Sequence, residues 1–182
     1  MQTNVFHYTL TAFCAAIIAV LAQITIPLPL VPITGQTLAI GLVVTILGLK
    51  FGTYAVILYV CLGAIGLPVF QMFTGGLGIL VGPTGGYIIG FIPTAIVMGI
   101  YLKKFGTTLF HALIANFIGM MVTLVFGAVW LKIVADLSWT AAILSGIVPF
   151  LIVGIIKAVA AAWLGVIVRD RLIQARMLQK LA

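Results

Sequence analysis

Long apolar runs, separated by short breaks, dominate the pattern of this chain. About 20 predominantly apolar residues, rising 1.5 Å each, cross the hydrocarbon core of a bilayer as a helix. The pattern predicts six spans, at residues 8–26, 37–49, 51–67, 85–102, 107–131 and 149–168. The second span is short unless it is tilted or extended, and residues 140–148 are too short to cross.

Composition agrees with a membrane protein and excludes several functions. Hydrophobic residues make up 64% of the chain and charged residues 6%, so a soluble fold would have too few polar side chains to cover its surface. The only acids are Asp136 and Asp170, which argues against a carboxylate-based enzyme or a multi-carboxylate metal site. His7 and His111 are far apart in sequence, and no metal or cofactor is expected.

Two breaks between spans predict a binding site. Proline residues interrupt the chain after the first span, and a glycine-rich stretch covers residues 66–91. Lipid cannot satisfy the backbone groups of such irregular chain, so these breaks must lie in a protein-lined cavity or at the membrane edge. The stretch GPTGG lacks the Gly-Lys-Ser/Thr of a phosphate-binding loop, so any ATPase must be a separate chain.

Candidate ligand contacts lie in or beside these breaks, with two more inside later spans. They are Thr34, Gln36, Phe70, Gln71, Thr74, Gly75, Gly76, Gly78, Tyr87, Asn116 and Lys157. Phe70, Phe73 and Tyr87 would supply apolar walls around a few polar anchors. Two of the polar residues have a structural alternative: Thr34 can cap a helix, and Asn116 can join helices. Capping does not explain Gln36, which is left for the ligand.

Lys157 is the basic residue that fits neither membrane surface. It lies eight residues into the last span, about 12 Å along the helix. A cation inside a membrane is usually functional or paired. The alternative is a lysine whose stem reaches the nearer interface.

The remaining basic residues predict orientation. The net charge is +7, but its residues lie at span ends rather than in one patch, so nucleic acid is not expected. With both termini cytoplasmic, the cytoplasmic face collects Lys50, Lys103, Lys104, Arg169, Arg171, Arg176 and Lys180, and the outer face only Lys132. The residues after 168 form an amphipathic tail suited to the bilayer surface.

A stripe of small residues marks the first span. Ala12, Ala15, Ala16 and Ala19 recur at three- and four-residue spacing, which lets another helix approach closely. The stripe fits either packing within the chain or contact with a partner.

The two breaks resemble the signatures of a known family. GLPVF, a di-glycine and GPTGGY in the second break, with IPLPLVPITGQT in the first, resemble the BioY family of biotin-binding S components of energy-coupling factor (ECF) transporters. The resemblance is looser after residue 100, where it rests on Pro149-Phe150 and Lys157. It implies an all-α membrane protein with six transmembrane helices, a single domain over residues 1–182, and extracellular loops that cover the ligand.

The resemblance also implies partners and roles. It implies biotin as the transported ligand, an ECF transmembrane coupling protein that meets the alanine stripe, two ATP-binding cassette ATPases, and a bacterial cell membrane location. BioY-like sequences have an aspartate three residues before the lysine, where the pair is implicated in holding biotin, but here that position is Gly154. Another small carboxylic acid is therefore an alternative ligand. An ion-coupled secondary transporter is a further alternative, although no acid lies inside a span.

Overall fold

The protein is an all-helical bundle. The computed structural model describes residues 2–175, 177 and 178, and gives residues 2–4 by their backbone alone. Its helices are α1 (Gln2–Ala22), α2 (Gln36–Ala64), α3 (Leu77–Val81), α4 (Gly85–Phe105), α5 (Leu109–Val134), α6 (Trp139–Gly146) and α7 (Val148–Gln174). Within the described residues, five helical segments are long and apolar enough to cross a membrane, α6 and α7 being counted as one. The prediction of a multi-pass, all-α membrane protein is confirmed.

Helix α2 accounts for two of the six predicted spans because it folds back on itself at Gly48. That residue has φ 73° and ψ −167°, a conformation that favours glycine. The two arms, 36–47 and 49–64, then run antiparallel: a Cβ added at Gly52 would lie 3.0 Å from Cα of Val44. The sequence placed the break at Lys50, but only the nearby glycine tolerates the turn.

Helices α4 and α5 pack closely through glycine. A Cβ added at Gly86 would lie 2.0 Å from Cβ of Trp130, and one at Gly90 would lie 2.8 Å from Cβ of Phe126. Large side chains of α5 therefore rest directly on the α4 backbone, which small residues permit in membrane bundles. The carbonyl of Gly82, one turn earlier, accepts the Trp130 indole N–H at 3.0 Å.

The two breaks join the helices at one end of the bundle, which we call the loop end. The proline break is a hairpin of two short antiparallel strands, β1 (Thr25–Ile26) and β2 (Ile33–Thr34). The glycine-rich break contains a 3-10 turn (Gln71–Phe73) and α3. At the opposite, basic end, α2 turns at Gly48 and α4 ends after Lys103 and Lys104.

The region after α5 is more helical than the sequence predicted. Ser138 caps α6 by accepting the backbone N–H of Ala141 at 3.2 Å. Pro149 lies in the first turn of α7, where its missing N–H costs no hydrogen bond. Helix α7 continues past residue 168, and Leu178 is buried in the core, so the described part of the tail is not a separate surface helix. Arg176 and Lys180 lie outside the described residues.

Candidate functional site

A cavity opens between the helices at the loop end. Its empty space, including the open mouth, is about 610 Å³. It lies between the proline hairpin, the glycine-rich break and helices α2, α4, α5 and α7. The lining residues are Val31, Pro32, Thr34, Gln36, Thr37, Gln71, Thr84, Tyr87, Ile88, Phe91, Met120, Thr123, Leu124, Phe150, Val153, Gly154 and Lys157.

Lys157 is the cation of this cavity. It is half-buried, and its Nζ donates to the backbone carbonyl of Thr34 at 2.7 Å. That is the one hydrogen bond to Nζ within the described part of the chain, and an ammonium has three N–H donors. Neither of the two acids in the chain, Asp136 and Asp170, lines the cavity. The ammonium therefore has donors to offer and no carboxylate partner in the site.

Gln36 and Thr34 line the cavity within a hydrogen-bonded network. The Thr34 hydroxyl donates to Gln36 Oε1 at 2.6 Å, and Gln36 Nε2 donates to the Tyr59 hydroxyl at 2.7 Å. The backbone N–H of Gln36 also donates to Thr34 Oγ1 at 3.3 Å, as the capping alternative expects. The network joins the proline hairpin to both arms of α2 and so fixes one wall of the cavity.

Tyr87 contributes an aromatic wall. Its hydroxyl donates to the carbonyl of Gly146 at 2.7 Å, and its ring centroid lies 6.0 Å from that of Phe150. The ring also presses on α5, where a Cβ at Gly127 would lie 2.1 Å from it. With the hydroxyl bound to protein, Tyr87 offers the cavity its ring face.

Between α2 and α4, the glycine-rich break places one predicted residue in the cavity and the others outside its lining. Gln71 lines the cavity, whereas Phe70 is fully buried with its ring centroid 5.6 Å from that of Tyr59. Three other predicted residues make contacts away from the cavity: the Thr74 hydroxyl donates to the carbonyl of Gln71, Gly75 packs on the carbonyl of Leu67, and the N–H of Gly76 donates to the carbonyl of Gly63 in α2. The remaining two, Gly78 and Phe73, are exposed.

Asn116 lines a second cavity that adjoins the first. This inner cavity has a volume of about 350 Å³ and shares Thr37, Met120, Thr123, Gly154 and Lys157 with the larger one. Asn116 Nδ2 donates to Thr45 Oγ1 at 3.0 Å and to the carbonyl of Ala112 at 2.9 Å. It therefore joins α5 to α2, and it also faces the space beyond Lys157.

Gly154 lies one helical turn before Lys157 and is covered by Met120. A Cβ added at Gly154 would lie 2.6 Å from Met120 Sδ. Any side chain at this position would displace the methionine. Gly154 and Met120 therefore give the cavity a neutral surface. A carboxylate at residue 154 would instead lie one turn from Lys157 on the same side of the helix.

Several lining residues were not among the predicted contacts. Thr84 lies within GPTGGY and Phe150 within Pro149-Phe150, so the motifs contained a signal for both. Thr123 had only its polarity inside an apolar span as a signal. Met120, Leu124 and Val153 had none, because in the sequence an apolar residue of a cavity wall cannot be distinguished from one that faces lipid or the core.

The alanine stripe divides between two faces of α1. Ala15 is buried and Ala19 partly buried, whereas Ala12 and Ala16 are exposed. Ala15 and Ala19 therefore pack within the chain. Ala12 and Ala16 leave a smooth surface on the outside of the bundle.

Comparison with known proteins gives consistent matches. A model of the BioY family matches residues 1–174. "Biotin transporter BioY2" of Lactococcus lactis subsp. cremoris is 42% identical over 166 residues, covering 90% of each chain. "Biotin transporter BioY" of Thermotoga maritima is 44% identical over 148 residues, covering 81% of this chain and 86% of that one. A crystal structure of the S-component for biotin from an ECF-type ABC transporter superposes with a TM-score of 0.87 at 31% identity, covering 93% of both chains.

Proposed function

Because this chain belongs to the BioY family, we propose that it is the S component that captures biotin in the loop-end cavity for an ECF transporter. Family membership confirms the prediction of a transporter component rather than an enzyme. Biotin is then the transported ligand and not a cofactor. The chain needs to bind, orient and release it without bond chemistry.

The observation that best supports this function is a cationic cavity without an acid. Lys157 has N–H donors left after its bond to Thr34, and the cavity lining contains no carboxylate. An ammonium in such a place favours an anion, because burial raises the free energy of an unpaired charge. We propose that the carboxylate of biotin is this anion and contacts Nζ of Lys157.

Apolar and aromatic walls would hold the rest of the ligand. Tyr87, Phe91, Phe150 and Leu124 surround the cavity and would bury the hydrocarbon parts of biotin. Thr34 belongs to the proline hairpin and bonds to Lys157, so the hairpin and the bound carboxylate would share one ammonium. Binding would thereby stabilise the hairpin over the ligand.

We propose that the loop end faces outward and the basic end faces the cytoplasm. Lys50, Lys103, Lys104 and Arg169 follow the positive-inside rule in that orientation. The exposed Ala12 and Ala16 would meet the transmembrane coupling protein, which in turn joins two ATP-binding cassette ATPases. That partnership accounts for inward delivery by a chain without an ATP-binding motif.

Lys157→Met tests the function on the purified protein. A hydrogen bond to a charged group contributes about 1.5 to 3 kcal/mol, so the change should weaken biotin binding about ten- to a hundredfold in isothermal titration. Biotin amide, which carries no negative charge, should bind the unmodified protein poorly. Its affinity for the variant should be almost the same as for the unmodified protein.

Equal losses for the acid and the amide would show that Lys157 supports the fold or contacts the ring instead. Stronger binding of a different small carboxylic acid, with the same dependence on Lys157, would favour the alternative ligand. Absence of biotin binding to the unmodified protein would end the proposal.

A further inference from the structure

Gln71 presents an unsatisfied acceptor beside the cavity. It is 7% exposed and lines the cavity, and Nε2 donates to Thr84 Oγ1 at 3.3 Å. Oε1 is buried and has no hydrogen-bond partner among the described residues. Buried polar atoms without a partner are rare in folded proteins, and each one calls for an explanation such as a functional role.

The turn that positions Gln71 is strained. Met72 and Phe73 follow it with φ values of 57° and 55°, in the left-handed region that non-glycine residues avoid. Both side chains are largely exposed, so their own burial does not compensate for the strain. Such backbone persists where surrounding contacts hold it, and it clusters at ligand-binding sites.

Gln23, at the end of α1, holds this turn from both sides. Its Oε1 accepts the backbone N–H of Phe73 at 2.8 Å, and its Nε2 donates to the carbonyl of Phe70 at 3.0 Å. The same Nε2 donates to the carbonyl of Ala19 at 2.9 Å, which anchors the amide to α1. One side chain thus brackets residues 70–73 and keeps Gln71 turned inward.

We propose that Gln71 Oε1 accepts a hydrogen bond from a ureido N–H of biotin, and that Gln23 is the positioning residue for this contact. The inference rests on the proposed function and adds the orientation of the ligand: carboxylate at Lys157, ring nitrogen at Gln71. The contact requires the Gln71 amide to turn Oε1 toward the cavity, which would give up the 3.3 Å bond from Nε2 to Thr84 Oγ1. The site then selects acids that also have a ring N–H donor.

The test uses the full-length protein in lipid nanodiscs and isothermal titration with three ligands. These are biotin and two derivatives methylated at one or the other ureido nitrogen. For the unmodified protein, one of the two methylations should weaken binding at least about tenfold more than the other. Gln71→Met should weaken biotin binding about tenfold and should remove the difference between the two derivatives.

Two further variants separate a direct contact from damage to the turn. Thr74→Val removes a hydroxyl that bonds within the turn but lies outside the cavity lining, so any loss should be the same for all three ligands. Gln23→Met should weaken biotin binding, and adding Gln71→Met should cost little more, because both changes remove one contact.

The outcomes distinguish this inference from the proposed function. If Gln71→Met leaves the difference between the methylated ligands intact, Gln71 does not receive the ring and the inference is wrong, while biotin capture stands. If the losses of Gln71→Met and Gln23→Met add fully, Gln23 does not position the contact and that part of the inference is wrong. If the unmodified protein binds no biotin, both are wrong.

Discussion

Two cations of α7 make the same kind of contact near opposite ends of the helix. Lys157 donates to the carbonyl of Thr34 at 2.7 Å, and Arg169 donates to the carbonyl of Ile46 at 2.6 Å. Each bond joins residues 123 positions apart in the sequence, so α7 runs beside the first arm of α2 in the same direction. The pair fixes the register of the two helices.

The surroundings of the two bonds differ. The break at Gly48 removes the last carbonyls of the first arm from the helical hydrogen-bond ladder, and the Arg169 guanidinium satisfies one of them. Arg169 lines neither cavity, whereas Lys157 lines both. The comparison teaches that two half-buried cations with equivalent backbone bonds can lie in different surroundings: Arg169 bonds a carbonyl at the end of a helical arm, and Lys157 lines the cavities.

The largest expected effect concerns the sides of the membrane on which the two ends lie. In a protein with Cys14 and Cys61 replaced by alanine, single cysteines at Lys103 and Asp136 should react with a membrane-impermeant reagent from opposite sides. Residue 103 should be reached only from the cytoplasm and residue 136 only from outside. Labelling of both positions from one side would contradict the proposed orientation.

The next effect tests the absence of an acid near Lys157. Gly154→Asp combined with Met120→Ala, which removes the methionine over Gly154, should pair the lysine internally. The preference for biotin over biotin amide should then fall about ten- to a hundredfold, as a charged hydrogen bond of about 1.5 to 3 kcal/mol implies. Gly154→Asn with Met120→Ala is the neutral control and should keep the preference; an equal fall in that control would exclude charge as the cause.

Arg169→Met should separate stability from binding. Leaving the buried carbonyl of Ile46 unpaired should lower the free energy of unfolding by about 1 to 3 kcal/mol, seen as a lower melting temperature in nanodiscs. Biotin affinity should stay within about twofold. Lys157→Met should show the reverse, a large loss of affinity with little change in melting. A loss of biotin affinity in the Arg169 variant would show that the register of α7 against α2 at the basic end also affects the geometry of the cavity.

The smallest effects on biotin binding and on stability are expected from a substitution on the exposed face of α1. Ala16 is exposed, so Ala16→Leu should leave biotin affinity and melting temperature unchanged. The larger side chain should block close helix approach and weaken copurification with the coupling protein. Ala15→Leu, at a buried position, is the matched control and should lower stability by about 1 to 3 kcal/mol through overpacking. Unchanged copurification of the Ala16 variant would place the partner surface elsewhere.

Much of the fold was predictable because membrane insertion depends on one-dimensional properties. The length of apolar runs predicted the helices, and prolines and glycines predicted where the chain leaves them. The exact turn of α2 was placed two residues late, since the break needs a residue that tolerates φ 73°, and Gly48 meets that need. The helix of residues 139–146 was missed because it is too short to cross a membrane.

The candidate site was predictable only in part. Lys157, Gln36, Thr34, Gln71 and Tyr87 meet in one cavity, and each was recognisable as a polar or aromatic residue in or near an irregular or apolar stretch. Phe70 looked equally suitable but is fully buried against Tyr59. A sequence shows which residues a break contains, but not which side of the chain each one faces.

By itself, the amino-acid sequence determined that this chain lies in a membrane, crosses it several times and has one cation inside its last span. Those properties follow from transfer free energies, which add along the chain. Only the tertiary structure decided that Lys157 lines both cavities while Arg169 lines neither, that Met120 covers Gly154, and that Gln23 brackets the turn containing Gln71. Such assignments depend on distances between residues remote in sequence, and no local pattern encodes them.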